Sequence, residues 1–332
     1  MESWQSLSML RYVIRRILYL IPLFFGVLII VFVASRLAGD PVRLMTVQNP
    51  RITPEARQNL SEYYGLDKPL YYQFFIFISQ LFEGNLGNAY AIRGGTAVTT
   101  LISDYAWLTF ELQLSALILS LLIAIPIGIL SAKKQYSKLD VSVTTTSLLG
   151  TCIPVFYMGI IAIIIFSYFL GWFPYGGAHS LLPGRYPFGS YLLDELWHMV
   201  LPTAVLTFAT LAPIVLLVRS SMLEVLRQDY VLAARASGLS ERTVIYKHAL
   251  RNTLIPIVTY IGLYFGGMLA GAPVTETVFN WPGVGRLFVE ATTKLDFPVI
   301  MGITVFITLM TLVANLITDI TYGYIDPRIR LE

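Results

Sequence analysis

The side chains that could do chemistry are few and scattered. Cys152 is the one cysteine, so the chain builds no internal disulfide and no multi-cysteine metal site. His179, His198 and His248 are far apart in sequence, without metal-ligand spacing. The sequence holds no G-x-x-x-x-G-K-[ST] loop to cradle a nucleotide, no H-E-x-x-H and no G-x-S-x-G. Glu111, Glu276 and Asp319 stand at the edges of apolar stretches, where a structural or interfacial role outweighs that of a proton relay. Neutral polar groups such as Thr144, Thr145, Thr146, Tyr157 and Asn315 lie within the apolar stretches with no charged or imidazole group beside them. They suit the wall of a conduit better than a catalytic site. The expectation is a chain that is not an enzyme and binds no cofactor or metal. Work done across it would draw energy from elsewhere.

The elements that position these residues are apolar helices. The 332 residues are 56% hydrophobic and only 13% charged, with a mean hydropathy of +0.68. Soluble domains carry about a quarter charged residues, so the chain reads as an all-α, polytopic membrane protein. A span needs roughly 20 apolar residues. Six stretches qualify: Ile17–Ser35, Leu112–Ala132, Val141–Leu170, Met199–Val218, Thr253–Thr275 and Phe297–Thr318. None contains Asp, Glu, Lys or Arg. The third is long and holds Pro154, which favours a kink. The first exceeds a signal-peptide core and no small-x-small site follows it, so it reads as a retained span. Gly266 and Gly267 mark a place in the fifth where helices approach closely or motion passes.

Fourteen of the 23 Lys and Arg residues fall on the side that holds the N-terminus, in the shorter loops. The positive-inside rule then places both termini in the cytoplasm and gives a cell-membrane location. The expected organisation is a cytoplasmic N-terminus over 1–16, a first span over 17–35 and an extracytoplasmic segment over 36–106. A core over 107–322 follows, with helices near 107–132, 141–170, 198–218, 253–275 and 297–320. A cytoplasmic loop over 219–252 interrupts that core, and a cytoplasmic tail covers 323–332.

Two hydrophilic segments stand outside the spans. The first has turns at Gly39-Asp40-Pro41, Asn49-Pro50 and Gly94-Gly95, with short helices expected over Pro54–Tyr64 and Leu70–Phe82. The aromatic Leu70–Phe82 segment is too short to span and suits the interface, either as a cap on the bundle or as a docking surface. The second, 219–252, reads as a helix from Asp229 to Ser237 and a left-handed turn at Gly238. A second helix then starts on the N-cap Ser240, with Val244, Ile245, His248 and Ala249 in one stripe, and Pro256 ends or kinks it. The alanines Ala233, Ala234 and Ala236 let another surface approach the first helix. Both ends are tethered to spans within a few residues, which argues against nucleic acid.

This second segment resembles the EAA loop of type I ABC importer permeases: Ala233-Ala234-x-x-x-Gly238, then Leu250-x-Asn252 and Pro256, with Leu232 in place of the family's frequent Glu. The whole chain is similar to the B-type subunits of the dipeptide/oligopeptide branch. The resemblance runs through Arg15-Arg16, Gly39-Asp40-Pro41, Gly65-Leu66-Asp67-Lys68-Pro69, Gly84-Asn85-Leu86-Gly87 and Leu108-Thr109-Phe110-Glu111-Leu112. It continues through Ile153-Pro154-Val155-Phe156, Arg219-Ser220-Ser221-Met222 and Ala234-Arg235-Ala236-Ser237-Gly238-Leu239. The most specific stretch runs from Glu276-Thr277-Val278-Phe279-Asn280-Trp281 through Pro282-Gly283-Val284-Gly285-Arg286, and Asp326-Pro327-Arg328-Ile329-Arg330 closes the match.

The resemblance implies six transmembrane helices in the type I importer permease fold. It also implies a second, C-type permease, two cytoplasmic ABC ATPase subunits that carry the ATP and Mg, an extracytoplasmic substrate-binding protein, and lipid around the spans. Asp229, Ala233, Ala234, Arg235, Ala236, Gly238 and Leu239 would then dock on the ATPase. Glu111, Pro154, Tyr157, Gly266, Gly267, Glu276 and Asn315 are the pore or gate candidates. The cargo would be di- or oligopeptides. Oligosaccharides or a nickel chelate on the same machinery, and an autonomous channel or ion-coupled carrier, are the competing readings.

Overall fold

The computed structural model describes residues 2–37, 53–63, 65–180 and 189–325. The turns at Gly39-Asp40-Pro41 and Asn49-Pro50 and the segment Asp326–Arg330 lie outside them. Among the described residues the chain folds as helices joined by turns and loops, with no strand beyond an isolated bridge between Asn88 and Ala97. The helices are α1 (Glu2–Leu37), α2 (Pro54–Tyr63), α3 (Leu70–Phe82), α4 (Val98–Lys133), α5 (Lys138–Cys152) and α6 (Val155–Ala162). They continue with α7 (Tyr191–Val225), α8 (Asp229–Ala236), α9 (Leu250–Met268), α10 (Pro273–Val278), α11 (Val284–Thr293) and α12 (Phe297–Ile325).

Among the described residues, four helices are long and apolar enough to cross a membrane, within α1, α4, α7 and α12. The third expected span is a bent pair: α5 and α6, with α6 running on through a π-helical stretch to Phe169, meet at 96° and would make a fifth. Pro154 sets this bend, since it has no amide to continue the ladder and disfavours helical geometry at Ile153. The fifth expected stretch, Thr253–Thr275, is not one helix. The chain leaves α9 after Met268, passes Gly271 at φ +78°, and restarts at Pro273 as α10. Pro256 lies inside α9 and does not end it. A π-helical stretch over Val244–Ala249 leads into α9 instead. The two short helices expected between the first two spans fall at Pro54–Tyr63 and Leu70–Phe82.

The chain forms two compact units. One comprises Met1–Leu108 and Gly283–Glu332, the other Thr109–Pro282. In the first, α1 packs along α12, and Arg16 on α1 pairs with Asp319 on α12 at 3.1 Å. Phe77 of α3 stacks on Phe32 of α1 and Phe74 meets it edge-on, while Leu70, Tyr71, Tyr72, Phe75 and Phe82 are exposed. The aromatic helix is therefore a cap with an outward apolar face. A core of Val98, Leu101, Val284, Leu287, Val299 and Ile303 ties the ends of α4, α11 and α12.

In the second unit, Leu117, Ala124, Ile214, Val218, Met222 and Ile257 form the main core between α4, α7 and α9. Gly128 lets α4 and α7 touch: a Cβ there would stand 2.6 Å from Val218 and 3.1 Å from the Val215 carbonyl. Ser120 of α4 reaches the Thr207 carbonyl and the Thr210 hydroxyl of α7, closing polar groups in an apolar layer.

Candidate functional site

The Asp229–Asn252 elbow is built as its residue types dictate. α8 starts with Asp229, whose charge suits a helix N-terminus, and ends at Ala236. Gly238 follows at φ +77°, a conformation glycine adopts without cost. Its missing Cβ would meet nothing within 4 Å, so the glycine serves backbone geometry and not packing. The Ser240 hydroxyl then accepts the Thr243 amide at 3.3 Å, capping the next turn.

Two contacts brace the elbow. Arg235 donates two hydrogen bonds to Glu241, at 2.9 and 3.2 Å, and holds that carboxyl below its ordinary pKa. The Asn252 amide donates to the Tyr230 hydroxyl at 2.7 Å, fastening α8 to the start of α9. Val231, Ala234 and Val244 are buried together against Val225 and Leu226. Ala233, Arg235, Ala236 and Leu239 are exposed, and Leu232 is half exposed. The small residues thus divide: Ala234 packs inward, while Ala233 and Ala236 stay open beside Leu232 and Leu239. Of the stripe of Val244, Ile245, His248 and Ala249, the three apolar residues are buried and His248 is partly covered.

The pore candidates separate. Glu276 is fully buried on α10, where its carboxylate accepts the Ala272 amide at 3.1 Å and the Thr109 hydroxyl of α4 at 3.2 Å. Glu111 is partly buried two residues further along α4. Gly159 brings α6 against α10, since a Cβ there would lie 3.0 Å from Val278 and 3.2 Å from Phe279. Pro154 and Tyr157, one turn earlier on this side of the bend, are exposed. Gly266 is buried in α9, whereas Gly267 faces open space. Asn315 is partly buried on α12 in the other unit.

Three carboxylates that spacing alone did not single out organise the ends of the helices. Asp140, buried in the first turn of α5, accepts from the Arg219 guanidinium at 2.5 and 2.8 Å, from Ser131 at 2.5 Å and from the Tyr136 amide at 2.9 Å. This joins α4, α5 and α7 at one end of the bundle. Asp194 receives the Ser180 amide and hydroxyl, both at 2.7 Å. Asp296 follows Leu295, which takes φ +54°, and precedes α12. Its Oδ2 accepts the amides of Tyr90, Ala91 and Ile92 at 3.1, 2.8 and 3.0 Å. Burial pushes the Asp296 carboxyl up, while these amides and that of Val299 pull it back. A Ser or Thr hydroxyl three residues before an Asp is a legible cap signal at Ser137. Pairings across 79 or 204 positions have no such local sign.

Apolar helices of spanning length, a buried Asp140–Arg219 ion pair at one end of the bundle and an exposed elbow between two helices mark a multi-pass membrane protein. The comparisons make this particular. Residues 124–331 match the family described as binding-protein-dependent transport system inner membrane component, and residues 9–95 match its N-terminal companion. The oligopeptide transport system permease protein AppB of Bacillus subtilis is 42% identical over 322 residues, covering 97% of this chain and 99% of that one. The di/tripeptide permease DppB of Pseudomonas aeruginosa is 40% identical, with 97% and 99% covered. The dipeptide permease DppB of Escherichia coli is 36% identical over the same shares. A chain of the MetNI methionine ABC transporter in an inward-facing form overlaps distantly, with TM-score 0.49 at 16% identity over 66% of this chain and 94% of that one. The chain belongs to the binding-protein-dependent transport system inner membrane component family. It is a permease subunit of an ABC importer.

Proposed function

We propose that this permease carries di- or oligopeptides inward and forms half of the translocation path beside a second, C-type permease. An extracytoplasmic binding protein delivers the cargo, and two cytoplasmic ATPase subunits supply the energy, so that ATP and Mg belong to those subunits. Near-complete coverage of three peptide permeases at 36–42% identity supports the cargo class. Both termini face the cytoplasm, in keeping with the excess of Lys and Arg on that side.

The observation that carries the mechanism is the braced elbow. α8 and the turn after it offer an open face of Leu232, Ala233, Ala236 and Leu239, while Arg235–Glu241 braces the turn and Asn252–Tyr230 fastens α8 to α9. A docked ATPase that moves α8 therefore moves α9. The buried Glu276 and the bent α5–α6 pair, in the same unit, are the parts such motion would rearrange between inward- and outward-facing states.

The test is to tag this chain, purify it gently from native membranes, and identify its companions by mass spectrometry. Two P-loop ATPases and a second permease are expected. Recovery of a stable homo-oligomer alone would overturn the reading in favour of a channel or carrier.

A further inference from the structure

A cavity of about 380 Å³ opens where the last turns of α4 meet the lead-in to α9. It is lined by the apolar Pro126, Ile129, Leu130 and Ile245 together with Tyr246 and two exposed cations, Lys133 and Arg242. Neither cation is paired with a carboxylate among the described residues. The nearby Glu241 feels Lys133 but is already held by both nitrogens of Arg235. Two cations without a carboxylate partner, set beside apolar lining residues, attract an anion that also carries hydrocarbon.

The wall of α4 leading to the cavity points to which anion. Leu119, Leu122, Ile123, Pro126 and Leu130 are all exposed and follow one another at intervals of three, one, three and four residues. That spacing makes one stripe along the helix, and the next step of three reaches Lys133. The stripe lies within one of the four helices able to cross the membrane. A water-soluble anion would have no use for such a track. An acyl chain would lie along it, at the depth where its own headgroup meets Lys133 and Arg242.

We propose that this cavity binds one anionic phospholipid, its phosphate between Lys133 and Arg242 and one acyl chain along the Leu119–Leu130 stripe. The guanidinium fork of Arg242 suits two phosphate oxygens, and Tyr246 provides an aromatic ring at headgroup level. The proposal rests on the membrane placement of the chain and not on its cargo or its ATPase contacts. Its failure would leave the importer reading intact.

The experiment is native mass spectrometry of the full chain, titrated in mild detergent with phosphatidylglycerol. One tightly retained lipid is expected. The double variant Lys133→Gln/Arg242→Gln should bind it at least tenfold more weakly, with unchanged helical content and elution. The conservative pair Lys133→Arg/Arg242→Lys should keep most of the binding. Equal retention by the double Gln variant, or equal binding of phosphatidylcholine with the same chains, would overturn the proposal. Displacement by millimolar glycerol phosphate would also overturn it, by showing a site for soluble anions. A second measurement leaves both charges in place: a photo-crosslinker at Leu130, activated in the assembled complex in native membranes. Capture of phospholipid supports the proposal. Capture of a neighbouring polypeptide would show that the stripe is a protein interface and overturn it.

Discussion

Asp140 illustrates how much one buried carboxylate can organise. Four donors from three elements converge on it, and Arg219 supplies the only full positive charge among them. Breaking such a pair leaves an uncompensated charge and costs about 3–5 kcal/mol. Arg219→Ala should therefore lower the thermal midpoint sharply in detergent, and Asp140→Asn in the same chain should recover much of the loss. An Arg219→Ala chain as stable as the parent would show that the pair contributes nothing. Asp296 makes a different prediction. Its folded pKa is raised above that of the unfolded chain. Between about pH 4, the ordinary aspartate range, and that higher value, the folded state holds a proton that the unfolded state has released. Stability should then fall as pH rises through this window. Asp296→Asn should flatten that part of the profile, and the same slope in both proteins would refute the link. Neither carboxylate could be assigned a partner from sequence, since cap spacing shows Ser137 but not Arg219.

At the scale of elements, the elbow was the most legible part of the chain. The run of alanines, Gly238 and the Ser240 cap are local signals, and local signals specify turns. The aromatic helix over Leu70–Phe82 was legible for the same reason. The spans were less so. Hydropathy reports how apolar a stretch is and not whether it stays straight: Thr253–Thr275 read as one segment, and only Pro154 and the length of Val141–Leu170 signalled a kink there. Pro154 bends Val141–Leu170 by 96°, and Gly271 with Pro273 divides Thr253–Thr275. Pro256, read as ending or kinking the helix, lies inside α9 and does not end it. Gly238→Pro tests the elbow directly. Proline cannot adopt φ +77°, so the turn must reopen and the brace between Arg235 and Glu241 must part. The chain should still insert and assemble, with ATP hydrolysis continuing while cargo uptake falls by an order of magnitude or more. Normal stimulated uptake in this variant would remove the elbow from the coupling path.

The molecule as a whole divides in a way no linear pattern announces, because the first 108 residues share a unit with those from Gly283 onward. Composition gave the membrane class and the helical architecture. The closure of the first unit depends on contacts such as Asp296 with the Tyr90–Ile92 amides, which only the folded chain brings together. That arrangement has a consequence in time. Ribosomes extend a chain by about 5–20 residues per second, and 204 positions separate Ile92 from Asp296. For about 10–40 s of synthesis, then, the early amides have no carboxylate to meet. The first apolar helix must enter the bilayer long before its companion α12 exists. Its low burial even in the finished fold, 11% of the spanning window, suits a segment that must first live alone in lipid. Closure of this unit therefore waits on synthesis through Asp296, and until then the Tyr90, Ala91 and Ile92 amides must find water or other acceptors.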